Sequence, residues 1–168
     1  MNSRLEEAAF EDSAVLGAPD LVAESPWVLL KFGGTSVSSK ENWQTIASLA
    51  RSRLEQGLRP VIVHSALAGV SNSLIEILEQ AVGGDPRDRL QQIRAQHYDL
   101  ARDLGLDGEP LLEERLHELE QLVAGVRLVR EVSVRVRVRV MALGELLSTS
   151  LGAAYLERAG VPTRWLDA

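Results

Sequence analysis

An apolar run cut off by two consecutive glycines restricts this chain more than any other stretch. In Trp27–Val37, WVLLKFGGTSV, the residues from Val28 to Phe32 suit a buried strand, and Gly33-Gly34 stop it abruptly. Thr35 and Ser36 add two hydroxyls. Ser38-Ser39-Lys40-Glu41 then has the Ser-x-x-Glu spacing with which a side-chain oxygen and a carboxylate satisfy the free amides of a helix start. Strand, glycine turn and helix in that order can receive an anion. Glycines let backbone N–H groups approach oxygen atoms, the helix presents its positive end, and Lys31 supplies a mobile cation. The same residues also make an ordinary tight turn whose lysine reaches into solvent. The spacing is neither that of a P-loop nor that of the dinucleotide-binding glycine fingerprint.

Downstream the alternation continues. Trp43, Ile46, Ala47, Ala50 and Leu54 fall on one helical stripe, with Gly57 placed to end it, and Pro60–His64 reads as a second short strand. Strand, helix and strand predict a right-handed parallel unit, in which ligands gather at the carboxyl ends of the strands. The Lys31 turn and the loop that starts at Ser65 share that edge. Asn72–Val82 predicts a helix through Leu74, Ile75, Leu78, Ala81 and Val82, ended by Gly83-Gly84-Asp85-Pro86. Two amphipathic stripes follow: Leu90, Ile93, His97, Ala101 and Leu104, closed by Gly105, then Leu112, Leu116, Leu119, Val123 and Val126. Their short connection predicts an antiparallel helical hairpin. Valines at 132, 134, 136, 138 and 140 alternate with polar residues, which by period alone is a strand. Gly160-Val161-Pro162 precedes Thr163–Leu166, expected as a third strand.

Charge and cysteine content narrow the partners. The 18 basic and 24 acidic residues leave a net charge of −6, which argues against a general nucleic-acid or anionic-membrane binder. No apolar run reaches spanning length. With no cysteine, disulfides and thiolate metal sites are excluded, in keeping with a reducing, cytoplasmic setting. His64, His97 and His117 fall on different predicted elements with no acidic or imidazole neighbour at ligand spacing, so no protein-held metal is expected. Residues 1–26 carry Arg4 against six acidic residues and are expected as a mobile extension ended by Pro26.

Three stretches carry a resemblance. Lys31-Phe32-Gly33-Gly34-Thr35-Ser36-Val37 resembles the opening signature of aspartokinases in the amino acid kinase family. Ser65-Ala66-Leu67-Ala68-Gly69-Val70-Ser71-Asn72 is similar to that family's second-strand loop, and Leu143-Gly144-Glu145-Leu146-Leu147-Ser148 to its Gly-Glu-x-x-Ser helix. The resemblance runs from about Trp27 to the C-terminus and implies an αβα sandwich with a mainly parallel sheet, incomplete over 27–168 and carrying the helical hairpin as an insertion. It also implies a helix from about Val134 to Arg158 where the valine period says strand. On a helix Arg135, Arg137 and Arg139 point to separate azimuths, and a nucleic-acid reading of them loses its basis.

What the resemblance implies chemically is transfer of the terminal phosphoryl of ATP, with Mg²⁺ on the nucleotide, to the side-chain carboxylate of L-aspartate. By motif position Lys31 contacts the moving phosphoryl, and Gly33, Gly34 and Ser36 line the phosphate path. Ser71 offers a hydroxyl to aspartate where threonine is common in the family, Glu145 receives the substrate ammonium, and Ser65 lines the same pocket. For Ser65 a strand-end cap is an equally good account, and Glu145 by itself also reads as a solvent-facing helix acid. The family's later Gly-rich segment with its catalytic aspartate, its adenine loops and its regulatory domains have no counterpart in these residues, so the span alone is expected to be inactive. The family further implies a homo-oligomer, and the N-terminal extension is compatible with a fusion of the bifunctional aspartokinase–diaminopimelate decarboxylase kind. The alternative is a noncatalytic phosphate- or amino-acid-binding remnant of the same fold.

Overall fold

The structure, a computed structural model, describes residues 25–167, so nearly all of the expected N-terminal extension lies outside the described residues. Strand β1 (Trp27–Phe32) leads through a 3-10 turn (Gly34–Val37) to helix α1 (Lys40–Glu55) and then strand β2 (Arg59–His64). The strands pair in parallel, Trp27 opposite Arg59 and Phe32 opposite His64, with the helix as the crossover that parallel pairing requires. Trp43, Ile46, Ala47 and Ala50 of α1 are buried as their spacing predicts, while Leu54 near the helix end is exposed. Gly57 ends the helix at a φ of 78°, a left-handed conformation that glycine adopts without cost.

Alternation along the strands separates two environments. Phe32 and Ile62 pack against the core, whereas Trp27, Leu29, Val61 and Val63 are exposed on the other face, Leu29 to 66%. The strands are therefore buried on one side only.

Four helices follow: α2 (Val70–Gly83), α3 (Arg87–Asp103), α4 (Glu109–Val129) and α5 (Val134–Arg158). In α2 the buried stripe is Val70, Leu74, Ile77, Leu78 and Ala81, so Ile77 takes the place expected for Ile75, and Val82 faces outward. Between α3 and α4 the predicted hairpin forms. Arg94 pairs with Glu113 and, at 3.1 Å, with Glu120, and the Tyr98 hydroxyl donates to Glu113. Burial, then the Glu113 carboxylate, pushes the Tyr98 phenol up to about 12. Helix α4 also lies against α2 and α5, and Arg139 of α5 grips Glu118 of α4 through two hydrogen bonds of 2.5 and 2.7 Å.

The valine-rich segment is helical. Ser133 caps it, its Oγ accepting from the Val136 amide at 3.3 Å. Val136 and Val140 turn inward and continue into the buried stripe of Leu143, Leu147 and Leu151, while Val134 and Val138 face solvent. Burial at intervals of three and four residues over 25 residues outweighs a local period of two, and among the described residues no strand lies alongside to accept a ladder. The expected third strand is absent for a similar reason. Residues 161–167 carry no strand, and Trp165 instead donates its indole N–H to Thr149 Oγ1 at 3.1 Å while Arg115 stacks on its ring at 4.9 Å. The segment lies against α5 and α4, where helices offer it side chains and no free backbone ladder.

His97 is the polar anomaly of the helical part. It is fully buried on α3, its Nδ1 contacts the Ile93 carbonyl at 2.7 Å, and its Nε2 has no partner. A carbonyl oxygen only accepts, so Nδ1 carries the proton and Nε2 is a bare acceptor. Burial lowers the His97 pKa below its ordinary 6.5. The unfolded chain therefore binds the proton first: stability is intact above about pH 6.5 and declines as pH falls through that value toward the folded-state pKa. His64 is shifted the same way by burial and adds to the slope. In urea unfolding of the intact protein, His97→Leu is expected to flatten the loss of stability between pH 7 and 5 while staying within about 1 kcal/mol of wild type at pH 7.

Candidate functional site

Parallel strands release their chains at one edge, and here that edge holds two loops in contact. From β1 come Gly33 and the 3-10 turn; from β2 come Ser65 and the loop to Gly69, whose φ of 82° turns the backbone into α2. A Cβ on Gly34 would stand 2.7 Å from the Ala66 carbonyl oxygen and 3.2 Å from the Ala68 nitrogen, so only glycine fits. Gly33 is different. It has nothing within 4 Å of such a Cβ and an ordinary φ of −83°, so the protein itself does not require glycine there. The space beside Gly33 is free for close approach of a ligand.

Ser38 fastens the two loops. Its hydroxyl donates to the Gly34 carbonyl at 2.6 Å and accepts from the Ala68 amide at 2.9 Å. Helix capping falls to Ser39, whose Oγ accepts from the Asn42 amide at 3.3 Å, which corrects the expected pairing of Ser38 with Glu41. One serine suffices as a cap, so the second in Ser38-Ser39 was the available sign of a further role.

The sequence-derived candidates distribute around this edge. Lys31 is exposed on the open face of β1, opposite Val63. Ser36 is exposed in the 3-10 turn, its amide donating to the Gly33 carbonyl at 3.0 Å. Ser65 is half-buried: its amide donates to the Phe32 carbonyl at 3.3 Å, and its hydroxyl to the Ala66 carbonyl at 3.2 Å, the local cap that its position allowed. Ser71 is exposed in the first turn of α2, which begins with no side-chain cap and directs its positive end toward the same edge.

Glu145 is exposed on α5 beside Gly144, the residue through which that helix presses onto the loop. A Cβ on Gly144 would meet Leu74 at 2.7 Å, Val70 at 3.2 Å and Ala66 at 3.4 Å. Among the described residues neither the Lys31 ammonium nor the Glu145 carboxylate has an ion-pair partner. One cation and one anion without ion-pair partners among the described residues thus flank a pair of loops that carry the exposed residues Thr35, Ser36 and Ser71. Such an arrangement can hold a polyanion on the Lys31 side and an ammonium on the Glu145 side.

Behind the edge, His64 closes β2. It meets the Trp43 ring edge-on at 5.2 Å, and its Nδ1 lies 3.2 Å from the Ser65 carbonyl oxygen and 3.3 Å from Ser148 Oγ. The sequence alone marks this residue only as the histidine that ends a strand. His117 stands apart, exposed on α4 and in contact with Gln121.

The profile of the amino acid kinase family matches residues 26–168. The chain belongs to this family. Within it the chain is similar to "Aspartokinase 3, chloroplastic" of Arabidopsis thaliana, 37% identical over 145 residues that cover 83% of this chain and 25% of that protein. It is also similar to the aspartokinase of Schizosaccharomyces pombe, 33% identical over 158 residues and covering 84% and 30% of the two chains. Among solved structures it matches E. coli aspartokinase III in complex with aspartate and ADP, with a TM-score of 0.66 at 26% identity, covering 79% of this chain and 29% of that one. The chain thus spans about a quarter of the length of its first Arabidopsis relative, and the two-stranded parallel sheet with its helices is part of an amino acid kinase fold.

The two glycines give a clean contrast. Gly34→Ala should cost about 1–3 kcal/mol in urea unfolding because a backbone oxygen cannot move aside, whereas Gly33→Ala should stay within about 0.5 kcal/mol of wild type.

Proposed function

We propose that the intact protein is an aspartate kinase and that the strand-end edge is where its phosphoryl donor and acceptor meet. The observation that carries this reading is the pair of opposite charges, Lys31 and Glu145, without ion-pair partners among the described residues and on either side of the Gly33–Ser71 loops. Membership of the amino acid kinase family and the likeness to an aspartokinase that holds aspartate and ADP support it.

In this reading the nucleotide phosphates take the Lys31 side. The open space beside Gly33 admits phosphate oxygens to the backbone, with Gly34 and Ser36 completing the path. Mg²⁺ carried on the nucleotide would supply further positive charge to the phosphates, and no side chain among the described residues is assigned to hold it. The acceptor carboxylate oxygen of aspartate attacks the terminal phosphorus, the bond to the ADP oxygen breaks, and negative charge redistributes over the phosphoryl oxygens as it moves. Lys31 is placed to stabilise that redistribution, which is worth more in the transition state than in the ground state. Aspartate takes the other side. Its ammonium faces Glu145, and the hydroxyls of Ser71 and Ser65 orient its polar groups. Ser65 has first to release its bond to the Ala66 carbonyl, so Ser71 is the stronger contributor.

Steady-state kinetics on the intact protein test the assignment. Lys31→Ala should lower kcat by about a hundredfold or more with a small change in the KM for aspartate. Glu145→Gln should weaken aspartate binding by about tenfold or more in calorimetry and leave a nonhydrolysable ATP analogue within about twofold. Absence of aspartate-dependent ADP release in the wild-type protein would reduce the edge to a binding site without transfer chemistry.

A further inference from the structure

We propose that His64 is the positioning residue for the Ser65–Ser71 loop, its Nδ1–H joining the Ser65 carbonyl and the Ser148 hydroxyl and so fixing the acceptor side of the edge relative to the helix that carries Glu145. The role assigned to aspartate rests on the reading above; the fastening of the loop does not.

An unexpected residue stands at the end of β2. Val61, Ile62 and Val63 are aliphatic, and the next position, packed under Trp43, would suit another aliphatic residue. It is a histidine instead, 9% exposed, and burying a polar ring is unfavourable unless its nitrogens find partners. Nδ1 finds two oxygens at nearly equal distance, Ser65 O at 3.2 Å and Ser148 Oγ at 3.3 Å. The carbonyl only accepts, so Nδ1 carries the proton and shares it between the two, and the serine hydroxyl accepts as well. Ser148 is 1% exposed, and its hydroxyl has no other hydrogen-bond partner among the described residues.

The surroundings admit this ring and little else. A Cβ on Gly152 would stand 2.2 Å from Trp43 Cη2 and 2.9 Å from His64 Nε2, so α5 approaches the Trp43–His64 pair at its own backbone. The Trp43 indole is fixed in turn, donating to the Val37 carbonyl at 2.9 Å. His64 therefore sits between a locked ring on α1, a bare glycine on α5 and the first carbonyl of the loop. About one helical turn before Ser148 on α5, Gly144 lets the helix approach closely: a Cβ there would stand 3.4 Å from Ala66 in the loop and 3.2 Å from Val70 at the start of α2. Together the Ser148 and Gly144 contacts set how far the Ser65–Ser71 loop stands from the turn of α5 that holds Glu145.

The test uses the intact protein with two substitutions at one position. His64→Leu keeps an apolar side chain under Trp43 and removes the donor; His64→Asn places an amide N–H near the position of Nδ1. Expected for His64→Leu is a rise of about tenfold in the KM for aspartate with the KM for ATP within about twofold, and for His64→Asn a substantial recovery. Amide hydrogen exchange over 66–71 should quicken in His64→Leu and return toward wild type in His64→Asn. Ser148→Ala, which keeps the ring and removes one of its two acceptors, should shift both measurements in the same direction and guards against a failure of His64→Leu to fold. Equal impairment by Leu and Asn would mean that the ring only fills space, and unchanged exchange over 66–71 in His64→Leu would remove the positioning role. If the wild-type protein shows no aspartate-dependent turnover, the proposed function falls and the exchange comparison still decides the role of His64.

Discussion

Two strand-end loops meet backbone to backbone at Gly34, and the rest of the site depends on that contact. Gly34 makes it possible, because any Cβ there would collide with the Ala66 backbone. Ser38 then holds it with two hydrogen bonds, one to each loop. The contact removes freedom from both segments at once: the chain leaving β1 cannot shift without moving the chain that leaves β2. Helix α5 presses on the assembly from behind at two further bare positions, Gly144 against the loop and Gly152 against Trp43 and His64. Close backbone approach at three glycines is what brings residues far apart in sequence to one edge.

Strand alternation divides labour between the faces of the sheet. Phe32 and His64, paired across the two strands, point into the packed side, where they meet α1 and α5. Lys31 and Val63, the preceding pair, point to the open side. A shift of register by one residue would bury the lysine and expose the aromatic ring. The burial of Phe32 and His64 therefore orients Lys31 indirectly, and core packing on one face sets the direction of charge on the other.

Much of this was legible in the sequence. The glycine pair, the stripe beginning at Trp43 and the run Pro60–His64 predicted strand, helix and strand, and both strand ends were expected at one edge. Motif positions led to Lys31, Ser71 and Glu145, which the structure leaves exposed around that edge. The functions of Ser38 and His64 were not legible, since each depends on a partner 30 or more residues away, Ala68 for one and Ser148 for the other. The two glycines of the turn also looked alike in sequence, and only their neighbours distinguish the one that the fold needs from the one that it does not.

Local periodicity determined which segments bury a face, because side-chain direction repeats with the geometry of helix and strand wherever the chain is regular. It could not decide what each segment packs against. The valines from 132 to 140 kept a strand's period, yet a cap at Ser133 and a buried stripe running on through Leu151 made the segment helical. Thr163–Leu166 had a strand's composition, yet Trp165 found Thr149 and Arg115 instead of a neighbouring strand. Strands depend on hydrogen-bond partners supplied from elsewhere, whereas helices satisfy their own backbone. The sequence therefore determined the helices outside the valine-rich start of α5 and the chemistry of the site residues, and tertiary structure decided which extended segments became strands and which polar groups hold the loops in place.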